Sequence, residues 1–263
     1  MRLHIGAWFP RCAVVLCAVA SAGCLETSVG NMTAHEAFSD ERVAKMVNAA
    51  VNGDLDEVDQ QIKAGADVNA IGKDGISPLL FVLINRQIKG MEHLLKAGAN
   101  PNYKAALRNG SAMYLAAGGN WPEALELLLK YGGDPNLRGN LNEPLLFIAV
   151  NQFRKENIDL LLRHGADVNV HMGGKYSNAD DTAASVAAGL GRFDFVHYLL
   201  ERGLNYKLQN LAADVEISKV PPNSEQQRWK DKVIEMLKAR GACFPAFDPK
   251  NPQVVPCLEK NKE

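Results

Sequence analysis

The chain has 263 residues, of which 47% are hydrophobic, and its 29 Lys and Arg nearly balance 30 Asp and Glu. No basic run exceeds what a solvated helix face carries, so composition excludes nucleic-acid binding. Apart from one short N-terminal segment there is no long apolar run, so the remainder is not expected to cross a membrane.

Residues 1–23 predict a secretory signal peptide. Met1 to Arg11 carry two Arg and no acidic residue, and Cys12 to Ala20 form an uninterrupted apolar run. That run is too short for a spanning helix, which needs about 20 residues. Small residues follow it, as at a signal-peptide cleavage site.

The end of this segment resembles a bacterial lipobox, in which Gly precedes a Cys that is lipidated and becomes the first mature residue. Ser21 stands where Leu is usual, and Cys24 is the lipidation candidate. Cleavage after Ala22 is the alternative, because Ala20 and Ala22 satisfy the small-x-small rule. We favour lipidation. Leu25, which is not the Asp associated with inner-membrane retention, implies an anchor in the outer membrane, facing the periplasm.

Four segments follow from these features. They are the signal peptide (1–23), the lipidated Cys with a polar tether (24–40), a repeat domain (41–241) and a C-terminal tail (242–263).

A glycine-led turn recurs through the repeat domain. Its glycines are spaced by 33, 34, 33, 38 and 38 residues and are Gly65, Gly98, Gly132, Gly165, Gly203 and Gly241. A constant period of this size indicates stacked supersecondary units, which present a long surface rather than a catalytic pocket.

Each period contains two apolar segments of helical character. One is rich in Ala, as at Ala116–Ala117 and Ala187–Ala188, and the second is rich in Leu, as at Leu127–Leu129 and Leu160–Leu162. Ala lets two helices approach closely, and the following Gly ends the second helix in a left-handed conformation. The pattern therefore predicts helix–turn–helix repeats.

These motifs resemble those of the ankyrin family. The family's T-P-L-H-x-A-A segment appears in degenerate form at Ser77 to Leu80, Glu143 to Leu146 and Thr182 to Ala188. Its L-L-x-x-G-A-D-V-N segment is matched at Leu94 to Asn102 and Leu161 to Asn169. The resemblance implies an all-α ankyrin-repeat solenoid of about five helix-turn-helix repeats plus a C-terminal capping helix.

The chain departs from the family at the buried His of T-P-L-H. Leu80, Tyr114, Leu146 and Ser185 stand at that position. The family's usual hydrogen-bond bracing is therefore expected to be absent or replaced.

The C-terminal end is predicted to close the stack. Ser224 and Gln227 fit a capping box before an amphipathic helix that contains Trp229. We favour a terminal cap over a free partner-binding helix.

The C-terminal tail is predicted to contain a disulfide. If Cys24 carries lipid, Cys243 and Cys257 are the two cysteines left in the mature chain. We predict a disulfide between them, because an exported protein meets an oxidising compartment. Two free thiols are the alternative.

No catalytic, cofactor or metal site is predicted. His35 and Glu36 begin like H-E-x-x-H, but the second His is missing. Gly173 to Lys175 resembles part of a phosphate loop, yet no strand precedes it, and we interpret it as a flexible loop.

A protein-binding surface remains. In ankyrin arrays the loops between repeats project as fingers, and the matching stretches are residues 69–75, 102–110, 136–143 and 169–181. Aromatic and Arg side chains concentrate binding energy at interfaces. The candidate partner-binding residues are Lys73, Tyr103, Lys104, Arg108, Arg138, Asn140, His171, Met172, Lys175 and Tyr176. A contact at Trp121 and Pro122, at the opposite end of the repeats, is the alternative.

Function is therefore predicted to be binding rather than catalysis, by a chain that is monomeric when unbound. Lipid-anchored ankyrin proteins of this size resemble immunity partners of type VI secretion phospholipase effectors. That resemblance implies an immunity protein that occludes a toxin acting in the periplasm. An accessory or scaffold factor for an envelope or oxidative-stress enzyme is the alternative.

Overall fold

The computed structural model describes residues 28–29, 32–104, 111–173, 181–248, 253–255 and 257. These residues form six consecutive helix pairs, each an inner helix followed by an outer helix. The inner helices are α2 (Glu41–Asn52), α4 (Pro78–Ile84), α6 (Ala112–Gly118), α8 (Leu145–Asn151), α10 (Ala183–Gly189) and α12 (Leu208–Ile217). The outer helices are α3 (Leu55–Lys63), α5 (Ile88–Lys96), α7 (Pro122–Lys130), α9 (Lys155–Arg163), α11 (Phe193–Glu201) and α13 (Glu225–Ala239).

The predicted all-α solenoid is confirmed. The predicted capping helix is α13, but it is not alone, because the inner helix α12 precedes it and completes a sixth pair. The longer spacing of the last two glycines had concealed this pair.

Local chemistry explains where the inner helices begin. The side chains of Ser77, Ser111 and Thr182 accept the backbone N–H three residues further on, at the starts of α4, α6 and α10. All three are buried, so each hydroxyl satisfies a backbone donor that water would not reach. Each of these residues occupies the position of the Thr in the T-P-L-H pattern.

The pairs stack because small residues let their helices approach. Ala116, Ala117, Ala187 and Ala188 are buried on the inner helices, which contact one another in chain order. In α5, a Cβ on Gly90 would collide with the carbonyl oxygen of Ala50. The apolar side chains form one continuous core that runs the length of the stack.

The N-terminal end of the stack begins before the predicted boundary at residue 41. A one-turn helix α1 (Ala34–Ala37) follows a two-stranded hairpin of β1 (Ser28–Val29) and β2 (Met32–Thr33). Thr33 and Glu36 form a capping box, and Ala34, Ala37 and Phe38 are buried. Residues 32–38 are therefore part of the folded end and not of the polar tether, whereas Cys24 and the signal peptide lie outside the described residues.

The C-terminal tail folds over α12. Cys243 and Cys257 form a disulfide, with their Cα atoms 5.5 Å apart, and a hairpin of β3 (Phe247–Asp248) and β4 (Gln253–Val254) lies between them. The Gln209 amide accepts from the Cys243 N–H at 2.9 Å and donates to the Val255 carbonyl at 2.7 Å. The Glu216 carboxylate accepts the N–H of Phe247 at 3.0 Å. The hairpin therefore covers the last inner helix.

Candidate protein-binding surface

The four loops that join successive pairs, from the first pair to the fifth, are here called fingers one (69–75), two (102–110), three (136–143) and four (169–181). Each follows the glycine-led turn of an outer helix and leads into the next inner helix. All four therefore lie at the same end of the helices.

A ladder of asparagines joins the bases of the fingers. Asn69, Asn102 and Asn136 each donate from Nδ2 to the carbonyl of the turn glycine one repeat further on, with N···O distances of 3.0, 2.8 and 3.1 Å. Their Oδ1 atoms accept a backbone N–H from that same turn at 2.7, 2.7 and 2.8 Å. Asn169 accepts two backbone N–H groups of the following turn. These bonds hold neighbouring fingers in register.

Finger one carries an apolar side chain and a cation at its tip. Lys73 is exposed, as predicted for a contact residue, and Ile71 is 66% exposed. In finger three, Leu141 is likewise 66% exposed and Asn140 is exposed. Sequence reasoning missed both aliphatic side chains because it searched the fingers for aromatic and charged residues.

Finger two is described only at its base. Tyr103 is half-buried and packs against the core, and Lys104 is exposed. The ring of Tyr103 therefore helps to support the finger, so less of it faces solvent than predicted. Arg108 lies outside the described residues.

Arg138 joins fingers three and four. Its guanidinium donates to the carbonyls of Met172 and His171 at 2.9 and 3.0 Å, and to that of Asn142 within its own finger at 2.9 Å. Asn142 adds bonds to the carbonyls of Met172 and Gly173 at 3.1 Å each. Predicted as a partner contact, Arg138 is half-buried and three of its hydrogen bonds go to carbonyls of its own chain. It makes the two fingers one unit.

Finger four is braced against the turn that follows the fifth pair. The ring of His171 stacks on that of Tyr206, with centroids 4.7 Å apart and planes 6° apart. The backbone N–H of Met172 donates to the Asp181 carbonyl at 2.9 Å. Lys175 and Tyr176, the remaining predicted contacts of this finger, lie outside the described residues.

Tyr114 replaces the family's His at the base of finger three. Its hydroxyl donates to Oε1 of Glu143 at 2.9 Å. Burial, and then this bond to a carboxylate, raises the pKa of Tyr114 above its ordinary value. The expected change of bracing therefore takes the form of a Tyr–Glu pair.

Comparison with known proteins agrees with this geometry. A family model described as ankyrin repeats (3 copies) matches residues 46–139, 87–172 and 113–210, which together span more than half of the chain. The chain belongs to the ankyrin-repeat family. Ankyrin repeats are in general non-catalytic modules for protein–protein interaction.

The curated relatives are matched over part of their length. The chain is similar to ankyrin repeat and SOCS box protein 6 of Homo sapiens, 29% identical over 139 residues, which are 51% of this chain and 33% of the relative. It is also similar to ankyrin repeat and SOCS box protein 14 of Mus musculus, 34% identical over 113 residues (39% and 18%). A third relative is protein lin-12 of Caenorhabditis elegans, 30% identical over 164 residues (57% and 11%). The chain spans a third or less of each relative.

The opposite end of the ankyrin helices carries the turns within each pair. Trp121 is half-buried there, and the guanidinium of Arg86 lies 4.9 Å from the centroid of its ring, so its neighbour is a side chain of the preceding turn. Phe153, in the next turn, is 47% exposed. Below these turns, buried Asn157 of α9 donates to backbone carbonyls at the end of α6, a contact that no sequence signal had indicated.

In the part of the chain that the structure describes, no three His, Cys, Asp or Glu side chains are grouped as a metal site would require. None of the described helices combines the length and hydrophobicity needed to cross a bilayer.

Proposed function

We propose that this ankyrin chain binds another protein through the four fingers, and that the bound surface is the row of finger tips. The observation that carries the proposal is a pair of aliphatic side chains, Ile71 and Leu141, each two-thirds exposed on a finger that is fixed by hydrogen bonds at its base. Exposed apolar side chains on a fixed frame are typical of interfaces.

Rigidity supports the same proposal. Ordering a loop on binding lowers affinity, so a surface that is ordered beforehand binds more tightly for the same contacts. The asparagine ladder and the Arg138 bonds hold the bases of the fingers in an ordered arrangement before a partner binds. Lys73 and Lys104 flank the aliphatic tips and suit a partner with acidic side chains around an apolar centre.

The proposed place of action is the bacterial envelope. The N-terminal segment and Cys24 favour export and a lipid anchor in the outer membrane, facing the periplasm. The disulfide between Cys243 and Cys257 is compatible with an oxidising compartment. The membrane anchor would raise the concentration of the binding domain where a lipase-type toxin acts.

The proposed partner is a secreted toxin, and the mechanism is occlusion of its active-site cleft by the fingers. This part of the proposal depends on the resemblance to immunity proteins seen in the sequence. Residues 25–263 contain every buried residue that the structure describes, so this shorter chain is suited to capture a partner for identification by mass spectrometry. A captured hydrolase that loses activity on binding would support immunity, whereas a resident envelope enzyme that keeps its activity would support the accessory role.

The finger row is tested with matched variants. Ile71→Asp with Leu141→Asp should raise the Kd for the captured partner at least tenfold, since central apolar contacts dominate interface energies. Ile217→Asp is the control, because Ile217 is also an exposed isoleucine, at 49% against 66% for Ile71, but lies at the other end of the helices. Calorimetry gives both affinities, and an unchanged Kd for the double variant would refute the finger row.

The anchor is tested separately. Cys24→Ser in the full chain should let a high-salt wash move the protein from the membrane fraction to the soluble periplasmic fraction, because salt does not release a lipid anchor. If the mature Cys24→Ser chain and the parent chain are retained equally through the high-salt wash, lipidation of Cys24 is contradicted and the finger row is unaffected.

A further inference from the structure

Exposed apolar side chains recur at the ends of the inner helices, away from the fingers. Ile84 and Ile217 are the last residues of α4 and α12, Leu190 caps the end of α10, and Phe153 lies in the turn after α8. Their exposed fractions are 39%, 49%, 44% and 47%, in that order. Among the described residues, the other large hydrophobics with comparable exposure are the finger tips Ile71 and Leu141. We call the line of turns 84–87, 119–122, 152–155, 190–193 and 217–220 the turn edge.

Two turn-edge residues occupy backbone conformations that favour glycine. Arg86 and Phe153 each have φ of 57°, where the equivalent positions of the first and fifth pairs are Gly53 and Gly191. A bulky side chain at positive φ is uncommon and points to a role outside folding. In this conformation the chain exposes Phe153 at the tip of the turn.

Cations accompany these apolar side chains. Arg86 lies over Trp121, and Arg192 lies 4.8 Å from the centroid of the Phe153 ring. Lys155 and Lys219 are exposed on the same edge. An Arg or Lys beside an aromatic ring, with the charge towards water, is the arrangement found at membrane interfaces.

The acidic side chains of this end lie further back. Glu123, Glu156, Asp194 and Glu225 are in the first turns of outer helices, where a negative charge complements the helix dipole. Asp194 also forms an ion pair with Arg192 at 2.7 Å. The first pair carries Asp54 and Asp56 at this end. Within the turn edge itself all charged residues are cations, namely Arg86, Arg154, Lys155, Arg192 and Lys219.

Beside Phe153 there is an open groove of about 250 Å³. Asn120, Pro122, Arg154, Lys155 and Glu156 are among the residues that line it. Arg154 is oriented by its Nε–H bond of 3.1 Å to the Gly118 carbonyl. Two cations and one carboxylate leave the groove with a net positive charge next to an exposed ring, which suits a phosphate headgroup next to its acyl chains.

From these observations we propose that the turn edge rests on the headgroup layer of an anionic phospholipid bilayer. Phe153, Trp121 and the aliphatic side chains enter the interface, and Arg86, Arg154, Lys155 and Lys219 contact lipid phosphates. The fingers then point away from the membrane, free for a protein partner. This contact requires neither a lipidated Cys24 nor binding by the fingers.

The test uses residues 25–263, which lack Cys24 and the apolar N-terminal run, in sedimentation with lipid vesicles. The chain should bind vesicles that contain phosphatidylglycerol and bind phosphatidylcholine vesicles much more weakly, with a loss of binding at high salt. Arg86→Asn with Phe153→Asn should lower the bound-to-free ratio about tenfold, and Asn tolerates positive φ, so the fold is kept.

Ile71→Asn with Lys73→Asn is the matched control, because it removes one apolar side chain and one cation from the opposite edge. It should bind vesicles like the parent chain. Equal losses in the two variants, or no binding of the parent chain to either vesicle, would overturn the proposal. In a Trp229→Phe chain, where Trp121 is the remaining tryptophan, brominated lipid should quench the fluorescence, and an unquenched signal would also overturn it.

Discussion

Replacing Asn157 by Ala should destabilise the stack by about 3 kcal/mol. Asn157 is 1% exposed, and its Nδ2 lies 3.0, 2.8 and 3.0 Å from the carbonyl oxygens of Ala116, Ala117 and Gly119. The Ala116 carbonyl keeps a second donor, the N–H of Gly119. The other two carbonyls lose the Asn157 donor. An unsatisfied buried carbonyl costs about 1–3 kcal/mol. Water reaches the half-exposed Gly119, so most of the cost comes from the Ala117 carbonyl and the total lies near the upper end of that range.

Urea unfolding followed by far-UV circular dichroism measures the change in the free energy of unfolding. Asn157→Asp is nearly isosteric but replaces the donor by a carboxylate facing three carbonyl oxygens, so at neutral pH it should destabilise more than Ala does. Asn120→Ala, at an exposed position of the adjacent turn, is the control and should change stability by less than about 0.5 kcal/mol.

Hydrogen exchange locates the effect. In Asn157→Ala, amides of α6 and α9 should lose protection before those of α2 and α3, because repeat stability is the sum of local and nearest-neighbour terms. The reasoning is refuted if the free energy of unfolding of Asn157→Ala lies within about 0.5 kcal/mol of that of the parent chain, since a buried carbonyl without a donor cannot cost so little.

Three further predictions concern other contacts. Gly90→Ala should lower the midpoint of thermal unfolding, because the added Cβ meets the Ala50 carbonyl; an unchanged midpoint would show that the two helices separate without cost. Arg138→Ala should speed hydrogen exchange in fingers three and four, and Arg138→Lys should not restore protection, because a single ammonium cannot reproduce the three-carbonyl fork. Asp214→Asn should stabilise the chain above pH 6. Burial raises the pKa of Asp214 from 3.8 to about 6 although the Ser185 hydroxyl opposes this, so the folded state binds the extra proton and the free energy of unfolding of the parent chain falls as pH rises from about 4 to 6. The full shift corresponds to about 3 kcal/mol, and partial solvent access reduces the expected difference to about 1–2 kcal/mol. The stabilities of the two chains should converge near pH 4 in urea titrations, and a constant difference across this range would contradict the assignment.

Much of this fold follows from local sequence signals. The glycine period, the Ser or Thr before α4, α6 and α10 and the Leu-rich outer helices each depend on residues within one repeat, and one repeat is about 33 residues long. The Asn of each turn was visible in the same period. Its bonds to the next repeat were not predicted, because they join residues about 30 positions apart.

The surface was predicted less well. The sequence treated Arg138 as a partner contact, because an Arg in a loop looks the same whether its guanidinium faces solvent or three carbonyls. Phe38 was assigned to a tether because its neighbours are polar, yet it is buried against Phe81, with ring centroids 6.1 Å apart. Contacts between distant segments decide both cases.

The sequence by itself determined that the chain is a stack of ankyrin repeats, because the residues that set the helix starts, turns and apolar faces of a repeat all lie close together in the sequence. Only the tertiary structure decided which polar side chains are used inside the stack. Asn69, Arg138 and Asn157 find their partners in the neighbouring repeat or finger, and a side chain that is satisfied there has less left to offer another protein. The side chains that remain exposed, Ile71 and Leu141 on one edge and Phe153 on the other, emerge once those internal bonds are known.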